Sequence, residues 1–451
     1  MDERFLDPSK YPYEELKEVQ WKKLKKQIQY IYDNSPLYYK KKFDEIGVKP
    51  EDIKTWDDFR NLPIMGNKEE ERQSQEDSFE KEGHYFSTYL CAPLEKLGFI
   101  SSTGGTTGVP TFSYLYTRED MKSEVESTGR IFRWAGLRDG DRIANLFAQS
   151  MHWFGFVGNH IMQAAGFVPV PIGAEAGSER MLNLIDVTKP RAIAATPPLV
   201  EHLIERCPEV LKKDVKSLGI EILVLGGAPG AGIPSVKKKL EEAYGAKVYD
   251  IQPMWVSCDA DEYYGMHFIN PDHWVFAEDL IDRETHKPVP LEDGAIGVGL
   301  ATMFYQAKPM FKYFYGDVYQ VFTKECPGCG FKGPRIKIVG RADEMLIVKG
   351  VNVYPAAVKG VVNSFLPRVT GEMRIVLDKP GPAVDPPLRL KVEHAEGLSE
   401  KEKEQLSGDL ISEIKKKLEV RPSVQLVPPM TFERAGGVSA KGTLVEKTYK
   451  E

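Results

Sequence analysis

The chain has no excess of basic residues. Its 60 Lys and Arg stand against 66 Asp and Glu, a net charge of -6, which argues against a nucleic-acid partner, because phosphates require a basic surface. It also has no unbroken apolar run of membrane-spanning length. The best stretch, 153–172, is interrupted by Asn159, His160, Gln163 and two prolines, so no membrane partner is expected. The opening Met1-Asp2-Glu3-Arg4 has no apolar signal core, and a cytoplasmic protein is the expectation. Five cysteines in 451 residues cannot form a disulfide framework. No internal repeat is visible. What is present, 42% apolar and 28% charged residues, suits a soluble globular enzyme too long for one core, hence two domains.

A lysine is missing from a second place. Ser101-Ser102-Thr103-Gly104-Gly105-Thr106-Thr107-Gly108-Val109-Pro110-Thr111 follows an apolar run over 97–100. Its glycines permit close backbone approach, and its hydroxyls and N–H groups are donors for phosphate oxygens. Without the lysine of G-x-x-x-x-G-K-[ST], it is not the loop of an ordinary kinase or ATPase.

Helical patterning over 14–32 belongs to a charged, aromatic first hundred residues without a readable motif. From Asp139 on, strand-like runs over 142–147, 166–172, 191–196, 220–225 and 246–251 alternate with helical ones, including an amphipathic stretch over 234–244. The alternation predicts βαβ units and a mainly parallel sheet with ligands beyond the carboxyl ends of its strands. After Gly340 the pattern predicts a helix over 356–365, strands over 372–377 and 388–393, a loop over 378–387 and a last strand over 423–427. Before that strand, Ser399 and Glu402 have capping-box spacing and open a helix that buries Leu406, Leu410, Ile414 and Leu418.

Three further segments suit one task. Tyr315-Gly316-Asp317 puts a carboxylate after a tight turn, fit to accept from a ribose diol. Gly340-Arg341-Ala342-Asp343-Glu344-Met345-Leu346-Ile347-Val348-Lys349-Gly350-Val351-Asn352-Val353-Tyr354-Pro355 joins a charged turn to a strand and a glycine loop at the inferred boundary. Gly436-Gly437-Val438-Ser439-Ala440-Lys441-Gly442 carries a lysine in a flexible loop.

With these segments in this order, the chain resembles the phenylacetate-CoA ligase family of the adenylate-forming acyl-CoA synthetase superfamily, which includes coenzyme F390 synthetase-like members. The resemblance runs from about residue 95 to the end, and Gly226-Gly227-Ala228-Pro229 looks like the family's G-G-E-P adenine-side turn. It implies an α/β fold with a large N-terminal ATP- and acid-binding domain over 1–340 and a small, swivelling α+β domain over 341–451. It implies ATP, AMP, Mg²⁺ and coenzyme A as ligands and a carboxylic acid as substrate; a homodimer is common among relatives. Ser101, Ser102, Thr103, Gly104, Gly105, Thr106, Thr107 and Gly108 would hold phosphates, and Asp317 the ribose. Gly226, Gly227, Ala228, Pro229, Asp250, Ile251, Gln252 and Ile338 would line the nucleotide. Lys441 would reach the α-phosphate and carboxylate oxygens, with Arg341 near the ribose or phosphate. Asp343 would be the hinge, and Gly350 would move to the pantetheine tunnel when a CoA thiol attacks.

This chain also departs from the family. Where relatives carry Y-G-x-[ST]-E, it reads Gln252-Pro253-Met254-Trp255-Val256. Val256 cannot ligate Mg²⁺, which leaves Asp259, Asp261 or Glu262 as stand-ins. Relatives often keep a cysteine set, matched here by Cys258, His267, Cys326 and Cys329, which implies a structural zinc. Trp153 and Phe154, with Met254 and Trp255, suggest a pocket for a flat aromatic acid. The alternatives to a CoA ligase are an adenylating enzyme with a deazaflavin, carrier-protein or amine acceptor, and a nucleotide-binding relative with weakened catalysis.

Overall fold

The computed structural model describes residues 13–103, 110–228, 230–275, 279–432 and 444–449. Strands Arg142–Asn145, Val168–Pro171, Ala192–Ala195, Ile222–Gly226 and Lys247–Gln252 run parallel, with Arg142–Asn145 lying between Val168–Pro171 and Ala192–Ala195. Helices Gly158–Ala164, Ser178–Thr188, Pro197–Leu211 and Pro234–Tyr244 connect them. Every residue of Ala192–Ala195 and Ile222–Gly226 is buried, as strands covered on both faces must be. Pro197 and Pro234 each open a helix, where a missing N–H costs nothing.

The parallel strands are only one half of the sheet. After Lys247–Gln252 the chain turns at Pro253-Met254 into Trp255–Ser257. The sheet then continues antiparallel through Met266–Phe268, Arg335–Arg341, Tyr313–Phe322 and Ile296–Met303. The mainly parallel sheet expected from the sequence is therefore a mixed one. The short strands Trp255–Ser257 and Met266–Phe268 leave no readable alternation, and the longer antiparallel strands lack the crossover helices that mark parallel neighbours.

The segment after Arg341 forms its own core from residues between Leu346 and Tyr449. Its four-stranded sheet orders Pro422–Val427, Leu388–His394, Val369–Leu377 and Val445–Lys447. The last strand, parallel to Val369–Leu377, and a short strand Ala383–Val384 inside the expected loop both escape sequence reading because they are so brief. Helix Glu400–Leu418 starts at Ser399, whose hydroxyl accepts from Glu402 N while Glu402 accepts from Ser399 N at 2.8 Å. It fully buries Leu406, Leu410 and Ile414, at about 2 kcal/mol each.

Residues 13–82 cover the antiparallel end of the large sheet: Leu24, Ile28, Tyr39, Phe43 and Phe59 pack with Val275 and Phe311. Helix Lys68–Glu82 is tied to the sheet through a buried charge. Glu71 is 1% exposed and accepts from Lys308 Nζ at 2.5 Å, Tyr313 Oη at 2.7 Å and Ser113 Oγ at 3.1 Å. Removing one partner strands the other charge. We expect Glu71→Ala to lose about 3–5 kcal/mol in denaturant unfolding, and Glu71→Met with Lys308→Met to lose much less.

Candidate functional site and metal centre

Strands Leu97–Thr103 and Thr111–Thr117 form an antiparallel hairpin with Thr103 opposite Thr111. Gly104, Gly105, Thr106, Thr107 and Gly108 lie outside the described residues. The hairpin root is pinned from two sides. Ser101 Oγ and Ser102 N both donate to the Met151 carbonyl, at 2.8 and 2.9 Å, and Gln75 Nε2 donates to the Pro110 carbonyl at 3.1 Å. Ser101 is fully buried, and its hydroxyl is engaged by the Met151 carbonyl.

The glycine turn follows strand Ile222–Gly226 at the carboxyl end of the sheet. A Cβ on Gly226 would stand 2.6 Å from the Ile251 carbonyl, so glycine is what lets the two strands approach, and Gly227 takes φ +76°. Ala228 continues the turn, and Pro229 lies outside the described residues. Ile251 and Gln252 end the neighbouring strand, with Asp250 just before them. Burial pushes the Asp250 carboxyl up to about 7, against the hydrogen bond it accepts from Tyr263 Oη at 2.7 Å.

Tyr315, Gly316 and Asp317 do not follow a turn. They lie inside strand Tyr313–Phe322, at a bulge between the pairs Val298–Val318 and Leu300–Phe314. Gly316 supplies the bulge's φ of +86°. Asp317 pairs across the sheet with Arg341. Arg341 Nη1 donates to Asp317 Oδ1 at 3.0 Å, Nε and Nη2 donate to Asp343 at 2.8 and 2.9 Å, and Nη2 also reaches the Tyr315 carbonyl at 3.2 Å. Although burial opposes it, the Asp343 hydrogen bonds and the Asp317 charge raise the guanidinium further above its ordinary value. Three sequence-predicted residues are thus one cluster. Ile338, on the same strand as Arg341, is exposed. Gly350 is elsewhere, at the tip of the hairpin Leu346–Val348 and Val351–Val353, where Lys349 and Gly350 both take positive φ. Lys441 lies outside the described residues.

Two tyrosines escaped the sequence reading. Tyr319 Oη donates to Asp317 Oδ2 at 3.3 Å, and its position two residues along one strand was a usable signal. Tyr263, which holds Asp250, sits in a loop with no periodicity.

Of the four expected pocket residues, Met254, Trp255 and Trp153 share one buried cluster. Trp255 is 1% exposed, with its ring 4.8 Å from Phe268. Phe154, half-buried, packs between Phe147 at 4.8 Å and Trp153 at 4.5 Å. Three of the four residues are therefore core, and Phe154 keeps an accessible edge.

Cys258 follows strand Trp255–Ser257, His267 lies on Met266–Phe268, and Cys326 and Cys329 occupy the turn before Arg335–Arg341. Their ligand atoms all lie within 4.8 Å of one another. Cys258 Sγ is 3.9 Å from Cys326 Sγ, and Cys329 Sγ is 3.3 Å from His267 Nε2. A tetrahedron with metal–sulfur bonds of about 2.3 Å has edges of about 3.8 Å, so the donor set fits zinc. His267 Nδ1 is 3.0 Å from the Val256 carbonyl, which fixes the ring so that Nε2 faces the thiols. Hydrogen bonding from its neighbours pushes the Cys258 thiol up, and the hydrogen bonds from Cys258 and His267 draw Cys329 down to about 4. Without a cation the cluster cannot release all its protons.

A second grouping, Glu126, Asp272 and His273, already has its cation: Arg130 donates to Asp272 at 2.6 and 3.0 Å. The Mg²⁺ stand-ins fare poorly. Asp259 pairs with Lys247, the first residue of its strand and so at the end away from the site, and Asp261 and Glu262 are exposed on the cysteine loop.

Residues 350–442 match the family model described as AMP-binding enzyme C-terminal domain. The phenylacetate-coenzyme A ligase of Thermus thermophilus is 30% identical over 392 residues, 84% of this chain and 82% of that protein. That of Aromatoleum evansii is 26% identical over 457 residues, 99% and 98% of the two chains. Among solved structures, 2-hydroxyisobutyryl-CoA ligase in its postadenylation state with 2-HIB-AMP superposes with a TM-score of 0.84 at 27% identity, covering 97% of this chain and 90% of that one. The same ligase in its thioesterification state, with 2-HIB-AMP and CoA, reaches only 0.67 over 97% and 91%. The arrangement of the two parts of this chain is therefore nearer the postadenylation form. No described helix is long and apolar enough to cross a membrane. On this evidence the chain belongs to the phenylacetate-CoA ligase family of adenylate-forming enzymes.

Proposed function

We propose that the protein activates an aromatic carboxylic acid with ATP and transfers the acyl group to coenzyme A. What supports this reading is the likeness in sequence to phenylacetate-coenzyme A ligases and in structure to a CoA ligase holding an acyl-adenylate, together with the cluster of Asp317, Arg341 and Asp343. An oxygen of the acid attacks the α-phosphorus, and pyrophosphate leaves. A CoA thiolate then attacks the acyl carbon, and AMP leaves. Asp317 accepts from the ribose hydroxyls, Asp250 and the Gly226 turn border the adenine, and the hydroxyls of the 101–111 hairpin cradle pyrophosphate. Lys441 meets the negative charge that builds on the α-phosphate. The chain divides into 1–340 and 341–451, with Asp343 as the hinge that carries Gly350 towards the thiol for the second step.

Mg²⁺ enters bound to the ATP phosphates; the hairpin after Asp250 offers it no carboxylate, and no step is routed through it. Zinc bound by Cys258, His267, Cys326 and Cys329 supplies a crosslink between two loops and no chemistry, since all four positions of the tetrahedron are filled. A homodimer belongs to the same reading and rests on the resemblance alone. The absent glutamate favours a second reading, a nucleotide-binding relative with weak turnover.

Incubation with ATP, Mg²⁺ and a panel of aromatic acids is expected to release pyrophosphate, followed by CoA-dependent AMP. ATP binding with no pyrophosphate from any acid would establish the second reading. Lys441→Ala is expected to slow acyl-adenylate formation by about 10²–10³-fold while ATP still binds; an unchanged rate removes the role given to that lysine. Elemental analysis of protein purified without added metal is expected to find one zinc per chain, and Cys329→Ser to lose it.

A further inference from the structure

The loop that joins Cys258 to His267 does more than carry metal ligands. Tyr263, midway along it, turns back to the large sheet and places its hydroxyl 2.7 Å from Asp250 Oδ2. Among the described residues no other side chain bonds that carboxylate, so Oδ1 keeps its accepting capacity. The pair is closely packed: a Cβ on Gly232 would stand 2.7 Å from Asp250 Oδ2 and 2.9 Å from Tyr263 Oη. Gly232 lies just beyond the Gly226-Gly227-Ala228 turn, so Tyr263 touches both segments that border the adenine in the reading above.

The loop is in turn fastened at both ends. Ser257, next to Cys258, accepts from Asp250 N through its hydroxyl at 3.0 Å. Lys237 Nζ donates to the Ala260 carbonyl at 3.0 Å, and Met266 beside His267 pairs with Ser257. The path from thiolate to nucleotide edge is therefore short and made of hydrogen bonds, with the metal as the clamp that closes the loop.

We propose that Tyr263 is a positioning residue for the nucleotide: its hydroxyl holds Asp250 so that the free carboxylate oxygen meets the amino edge of adenine, and the Cys258/His267/Cys326/Cys329 metal clamp holds Tyr263. Metal occupancy and ATP affinity are then coupled through one hydrogen bond. The inference rests on the adenylating reading, and wild-type ATP binding is the control that separates the two.

The experiment titrates ATP, and its analogue lacking the 6-amino group, into wild-type holoprotein and Tyr263→Phe by calorimetry, with zinc measured on both. Tyr263→Phe is expected to weaken ATP binding about tenfold, to lose most of the preference for ATP over the analogue, and to keep its zinc. In turnover the KM for ATP rises while the KM for the acid stays. Removing metal from the wild type with a chelator is expected to weaken ATP binding by a similar factor, and to weaken it no further in Tyr263→Phe. An unchanged ATP affinity and preference in Tyr263→Phe overturns the positioning role. A chelated wild type that binds ATP as before, or a holoprotein without metal, overturns the coupling. Should Tyr263→Phe not fold, the chelated wild type and its analogue preference decide the matter alone. Failure of the wild type to bind ATP at all sinks the adenylating reading first.

Discussion

The guanidinium of Arg341 is shared between two carboxylates on either side of a boundary. Asp317 belongs to the large sheet, while Asp343 opens the segment that leads to the C-terminal core. Each contact is partly open to water, and exposed pairs of this kind contribute about 0–1 kcal/mol. The contrast lies deeper in the large domain, where Glu71 with Lys308 and Asp279 with Lys312 are almost wholly buried. Breaking one of those leaves an unpaired charge in an apolar interior. The costly pairs thus lie under the large sheet, and the weak pairs lie where the chain passes to the C-terminal core. In the two-step reaction proposed above, the Asp343 contact could part at little cost while Asp317 stays on its strand.

The same economy of position explains the altered hairpin after Asp250. Pro253 and Met254 make the turn, Trp255 enters the core, and Cys258 follows at once. In the proposed reading Asp250, half-buried and held by the Tyr263 phenol, would border the adenine, and the hairpin whose root is tied to Met151 would border the phosphates.

How much of this was legible in the sequence follows from the length and periodicity of each part. Strands Ala192–Ala195 and Ile222–Gly226 are apolar throughout and flanked by amphipathic helices, so their place in a parallel sheet could be read. The antiparallel half could not: Met266–Phe268 and Trp274–Val275 are shorter than one alternation, and the longer Ile296–Met303 is buried at every position but its first, so it shows no alternation. Tyr315-Gly316-Asp317 reads as a turn because glycine marks turns and bulges alike; only pairing to a neighbouring strand separates them. Cys258, His267, Cys326 and Cys329 were legible as chemistry, whereas Tyr263 was not: its partner lies across the fold, and a loop residue has no period to betray it. Of the four expected pocket residues, Trp153, Met254 and Trp255 are buried, since a large side chain fills a core as readily as it lines a pocket.

Residues 433–443, with Lys441, lie outside the described structure, but the residues on both sides of this loop are held by the C-terminal sheet. Before the loop, Phe432 N donates to the buried Glu393 at 2.8 Å, and Glu393 also accepts from Thr370 Oγ1 at 2.9 Å. After it, Ile375 N donates to the Leu444 carbonyl at 2.8 Å, and Val445–Lys447 joins the C-terminal sheet as a parallel strand. If Lys441 serves the reaction as proposed, the sheet that anchors both flanks would move with it, and the partly exposed Arg341 pairs are the contacts that would have to give.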